Sequence, residues 1–97
     1  MGSSDLITKA LVSLAIEKAL IDVGVPTYDQ VIHQLHKKFH CYLPDCYEHP
    51  EYLKEVLSEL YGDSSRVIID SIMKDLEEFS YKKQIEKFLQ VLSKTSE

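Results

Sequence analysis

Every histidine and cysteine of the chain falls between Tyr28 and Pro50, in the run YDQVIHQLHKKFHCYLPDCYEHP. His33, His36, His40, His49, Cys41 and Cys46 therefore gather the soft metal ligands and the near-neutral titrating side chains into one short segment. His36 and His40 stand four apart, a spacing that lets two imidazoles on one helix face hold a single ion. Cys41-x4-Cys46-x2-His49 follows at once, enough donors to complete a tetrahedral centre. Thiolate and neutral imidazole suit zinc or copper(I), and Pro44 stiffens the connecting loop. The expected metal set is His36, His40, Cys41, Cys46 and His49. The same residues also read as a structural edge, with two small buried apolar cysteines and histidines flanking a core. No second Cys-x2-Cys knuckle accompanies them, as it does in the common zinc modules.

Other chemistry is thinly supported. A nucleophilic pair of Cys41 or Cys46 with His36, His40 or His49 has Asp29 and Asp45 as orienting groups, but also needs a substrate pocket. The three glycines are isolated at positions 2, 24 and 62, so no phosphate-cradling loop exists. His33-Gln-Leu-His36-Lys37 resembles the histidine-then-lysine pattern of helical phosphotransfer domains, with Lys38 where those carry glycine. No catalytic or cofactor-binding residue is assigned, and an enzyme is not expected. Several imidazoles on one stripe would repel when protonated, which makes this edge a candidate for loosening in acid.

Helices must position these groups. A helix opening at Pro26–Thr27 sets Tyr28, Val31, Ile32, Leu35 and Phe39 on one face, at about 100° per residue. Asp29, His33, His36 and His40 form a stripe along its edge. Before it, Ser3 or Ser4 is placed to cap a helix with Asp5 at its positive end, running to Val23 and ending at Gly24 in a left-handed turn. That first helix is apolar most of the way round, so it must be central or covered by another chain.

The loop from Cys41 to Glu48, with Tyr42, Leu43 and Tyr47, is too apolar to stand free in water. A third helix begins at His49–Pro50, buries Leu53, Val56, Leu57, Leu60 and Tyr61, and ends at Gly62. Asp63-Ser64-Ser65 supplies the next cap. The following stripe is Ile68, Ile69, Ile72, Met73, Leu76 and Phe79. Tyr81, Ile85, Phe88, Leu89 and Leu92 form another, out of phase with the first. That requires either a kink near Ser80 or one long helix turning its second half elsewhere. Lys94–Glu97 should fray.

The expected fold is all-α, a bundle of four to five helices in one domain of 97 residues, packed around the first. A net charge of −5 disfavours nucleic acid and anionic membrane as partners. No apolar run reaches membrane-spanning length and no signal peptide is evident, so a cytoplasmic location with reduced thiols is expected.

FHCYLPDCYEHPEYLKEVLSELYGD, with GVPTYDQVIHQLHKKFH before it, resembles the Nitrosopumilus-type output domains of ammonia-oxidising archaea, over residues 6 to 79. Those small helical domains occur alone or attached to signalling modules. The resemblance implies an intracellular, non-enzymatic output or interaction domain and transfers no catalytic residue. The expected partner is a protein or a second copy of the chain, joined as a homodimer through the first or last helix.

Overall fold

A computed structural model describes residues 2–93, with side chains from Leu6 to Ser93, and is helical throughout, with no strand among them. Five α-helices follow in order: α1 (Gly2–Val23), α2 (Val25–Phe39), α3 (Pro50–Tyr61), α4 (Ser65–Leu76) and α5 (Lys83–Ser93). Short 3-10 turns at Leu43–Tyr47, Gly62–Ser64 and Glu77–Phe79 join them. The all-α bundle expected from periodicity is the fold observed. The capping role expected of Ser3, Ser4 and Asp5, and the fraying expected of Lys94–Glu97, lie outside the described side chains.

Consecutive helices pack on one another because their connectors are short. α1 lies against α2, α4 and the first 3-10 turn, and α3 lies against α2, α4 and α5. The shared core is Val12, Ile16 and Leu20 of α1, Val31 and Leu35 of α2, Leu53, Val56 and Leu57 of α3, Ile72 and Leu76 of α4, with Ile85 and Leu92 of α5. A radius of gyration of 12.4 Å matches one such core in a chain of this length.

Four local expectations are corrected. Gly24 ends α1 with φ 159° and ψ 150°, extended rather than left-handed, and turns the chain directly into α2. The left-handed residue is His40, φ 55° and ψ 40°, at the end of α2. Residues Asp63, Ser64 and Ser65 make no side-chain cap on α4; the approach to that helix is a 3-10 turn instead. The two out-of-phase stripes at the C-terminal end belong to two separate helices. α4 stops at Leu76, a 3-10 turn and a reversal follow, and α5 starts afresh at Lys83, so neither one long helix nor a simple kink describes the join. Tyr81 falls in that reversal and is 77% exposed, outside the apolar stripe to which its spacing assigned it.

α1 is also not encircled. Thr8, Val12, Ala15, Ile16, Ala19 and Leu20 face inward, while Leu6, Ile7, Leu14 and Ile21 remain exposed on its back. The helix lies on a flank of the bundle, with one of its two apolar sides covered.

Candidate functional site

α2 forms where Val25-Pro26-Thr27 sets its first turn, proline filling a position whose missing N–H would have no helical partner. It ends where His40 turns left-handed: the His40 amide donates to the His36 carbonyl at 3.0 Å and the Cys41 amide to that of Leu35 at 3.4 Å. This bend decides the fate of the whole segment. It throws the imidazole of His40 outward and the Cys41 side chain inward, towards the core.

Both thiols are interior. Cys41 is 7% exposed and Cys46 fully buried, both free, with Sγ atoms 4.0 Å from the carbonyls of Leu35 and Tyr42 respectively. Burial, and beyond it the neighbouring Cys41, pushes the Cys46 thiol up to about 12. Burial, then the charge of Asp45, raises Cys41 as well. Both cysteines thus pack as small apolar side chains with protonated sulfurs. The 3-10 turn between them carries the same logic: Leu43 and Cys46 point into the core beside α1, and the Tyr42 amide donates to Asp45 Oδ2 at 2.9 Å, fixing the turn's start.

The four imidazoles are all exposed. His36 and His40 approach edge to face with ring centres 6.2 Å apart, and the Tyr42 ring lies 5.4 Å from His36. Asp29, His33 and His36 line one side of a shallow groove with Tyr28, Ile32 and Tyr42, so the stripe read along the edge of α2 is a surface feature. His49 stands apart. It stacks on Tyr52 at 4.5 Å, Tyr52 stacks on Phe39 at 4.1 Å, and the His49 ring lies 3.2 Å from Glu51. Among the described residues, no group of three or more His, Cys, Asp or Glu side chains converges as a metal site would require. The expected set is therefore divided: His36 and His40 together, His49 in a separate ring stack, and Cys41 with Cys46 inside.

Two contacts had no signal in the spacing of α2 alone. Lys38 bridges to α3 through Glu55 Oε2 at 3.0 Å and Glu59 Oε1 at 2.9 Å. The hydrogen bonds to Glu59 and then Glu55 hold its ammonium above the ordinary lysine value. The hint was the i, i+4 pair of acids on the outer side of α3. Tyr61 likewise donates to Gln30 Oε1 at 2.8 Å and ties the far ends of the same helices. The aromatic stack at one end and this bond at the other keep α2 and α3 in register.

Set against protein-family models, curated proteins and solved structures, the chain matches none.

Proposed function

We propose that this protein is a small non-enzymatic interaction module, of the output-domain kind its sequence resembles, and that it pairs with a second copy through the outer face of α1. The observation carrying this reading is the uncovered apolar stripe. Leu14 is 62% exposed, Ile7 59% and Ile21 42%, spaced two helical turns apart on the side opposite Val12, Ala15 and Ala19. Ala10 fills the gap between Ile7 and Leu14, and a groove of about 400 Å³ bounded by Leu6, Ala10, Leu14 and Pro44 runs alongside.

The stripe is self-complementary. Ile7 and Ile21 lie seven residues on either side of Leu14. A two-fold axis through Leu14 would bring Ile7 of one copy against Ile21 of the partner, with the aliphatic stem of Lys18 over Ala10. Magnitudes set the strength. Burying the exposed half of such a side chain is worth roughly 1 kcal/mol. Six to eight of them across the axis would offset an association cost of about 4–15 kcal/mol only narrowly. Reversible pairing that dissociates on dilution is expected.

Sedimentation velocity over a concentration series tests this, with Leu14→Glu as comparison. Leu14 is exposed in the single chain, so its replacement leaves the fold intact. A concentration-dependent rise in mass that Leu14→Glu removes supports the reading; a monomer at all concentrations, or pairing indifferent to the substitution, overturns it.

The alternative reading is metal binding, now narrowed to His36 and His40, whose rings are the only two of the expected ligand set placed side by side among the described residues. Zinc or copper titration followed by NMR of the two imidazoles discriminates. Stoichiometric shifts lost in His36→Ala favour the metal; silence leaves the interaction surface as the function.

A further inference from the structure

We propose, resting on the pairing read above, that Glu17 makes that association proton-dependent: each copy takes up one proton at this carboxylate as the two α1 faces close. The position follows from helical geometry. At about 100° per residue, Glu17 lies within about 60° of Ala10, Leu14 and Ile21, near the middle of the outer face. Pairing through that face must cover it. It is already half-buried, in the groove with Leu6, Ala10, Leu14 and Pro44.

No cation answers it. Glu17 is in no ion pair among the described residues, and the lysines of α1 on its two flanks are drawn to other elements. Lys9 reaches Glu48, just past the first 3-10 turn, at 3.9 Å, and Lys18 reaches Asp75 of α4 at 3.8 Å. Asp45 of that 3-10 turn accepts from the Tyr42 amide, while Asp29, His33 and His36 of α2 line a different groove. Asp22, exposed near the end of α1, adds another negative charge. A second copy closing over the groove strips water from a carboxylate with no counter-ion. Desolvation disfavours the charged form, and the carboxyl yields by taking up a proton.

Ser13 is the second observation. Its hydroxyl is buried without a hydrogen-bond partner among the described residues, and Ser13 lines the same groove one turn before Glu17. With the axis through Leu14, the partner's Ser13 stands level with residue 15, about 3 Å along the helix from Glu17. It is on the same flank, because a two-fold crossing the helices brings like flanks together. One hydroxyl can satisfy a neutral carboxyl, whereas a charged one needs about two or three donors.

Sedimentation equilibrium at pH 7.5 and pH 6.0 tests the proposal, in about 0.3 M salt to screen the net charge of −5. Two protons per dimer tighten Kd by up to about a hundredfold per pH unit, and a gain of at least about tenfold is expected over this interval. Glu17→Gln keeps the shape of the neutral side chain at every pH, so it should pair tightly at both. Asp63→Asn removes an equal charge in the exposed turn between α3 and α4 and should keep the pH dependence of the wild type. The four histidines are present in all three proteins, so a pH dependence that survives in Glu17→Gln belongs to them and overturns the proposal. It is equally overturned if Asp63→Asn behaves as Glu17→Gln does, or if pairing weakens at pH 6.0, as a transfer of Lys9 to the partner's Glu17 would give. Pairing indifferent to pH overturns this inference alone. Monomers of wild type and Glu17→Gln at every concentration and pH remove the pairing itself, and the inference with it.

Discussion

Cys46 shows how burial governs a single residue's chemistry. Its thiol, raised from an ordinary value of 9.0 to about 12, stays protonated in the folded chain at pH values where the unfolded chain has lost the proton. The folded state therefore binds the proton more tightly, and the associated stability is intact below pH 9 and lost progressively between about pH 9 and 12. The loss should approach roughly 1.4 kcal/mol per pH unit in that window. Denaturant melts of the wild type and Cys46→Ala at pH 8 and 10.5 check the sign: the wild type should lose more stability over the interval than the variant. Equal losses would show that the thiol is not as shielded as its position implies. His40 offers a second residue-scale case. A histidine in the left-handed region is held there against its preference. His40→Gly should raise stability by about 0.5–1 kcal/mol in thermal melts, and a decrease would mean that the His36–His40 ring contact outweighs the backbone cost.

At the scale of elements, the joins decide more than the helices do. α3 ends at Gly62, whose φ of 57° and ψ of −127° suit glycine alone, with open space where a Cβ would stand. Gly62→Ala is thus a pure backbone test, expected to cost about 1–3 kcal/mol in equilibrium unfolding. A neutral result would mean that the turn relaxes freely. The α2–α3 pairing rests on Leu35 and Leu57 within, and on Lys38 between two glutamates outside. Leu57→Ala should destabilise by about 2–5 kcal/mol, as fully buried leucines do. Lys38→Met should lower the melting temperature slightly, and only at low salt, because an exposed ion pair is screened. A large, salt-independent loss would contradict that assignment.

For the whole molecule, the open question is what meets the back of α1. A helix with apolar residues on opposite sides can satisfy only one of them inside so small a bundle, and here the inner side is taken by α2, α4 and the first 3-10 turn. The outer side is left to water or to a partner. Exposed patches of this kind are interaction surfaces or aggregation liabilities. If pairing occurs, Leu14→Glu should abolish the concentration dependence of the melting temperature while leaving its low-concentration value nearly unchanged. A general loss of stability would instead place Leu14 within the monomer's own packing. Among the described residues, no helix is long and apolar enough to cross a membrane.

The all-α class, the inner faces of α2 to α4 and the stop at Gly62 were legible because each depends on local periodicity and backbone preference, which the chain carries residue by residue. Proline at the start of α2 and α3 was legible for the same reason. The break between α4 and α5 was visible only as a shift of phase, since no glycine or proline marks it, and it left open whether α4 and α5 were one helix or two. The candidate metal set was an inference from spacing, and spacing alone does not say which way a loop turns. One left-handed residue, His40, turns the chain so that Cys41 enters the core, the 3-10 turn after it buries Cys46, and the imidazoles of α2 stay on its solvent edge. Likewise, composition marked α1 as apolar all round, but only the packing of five helices determined which side is buried and which remains to be met.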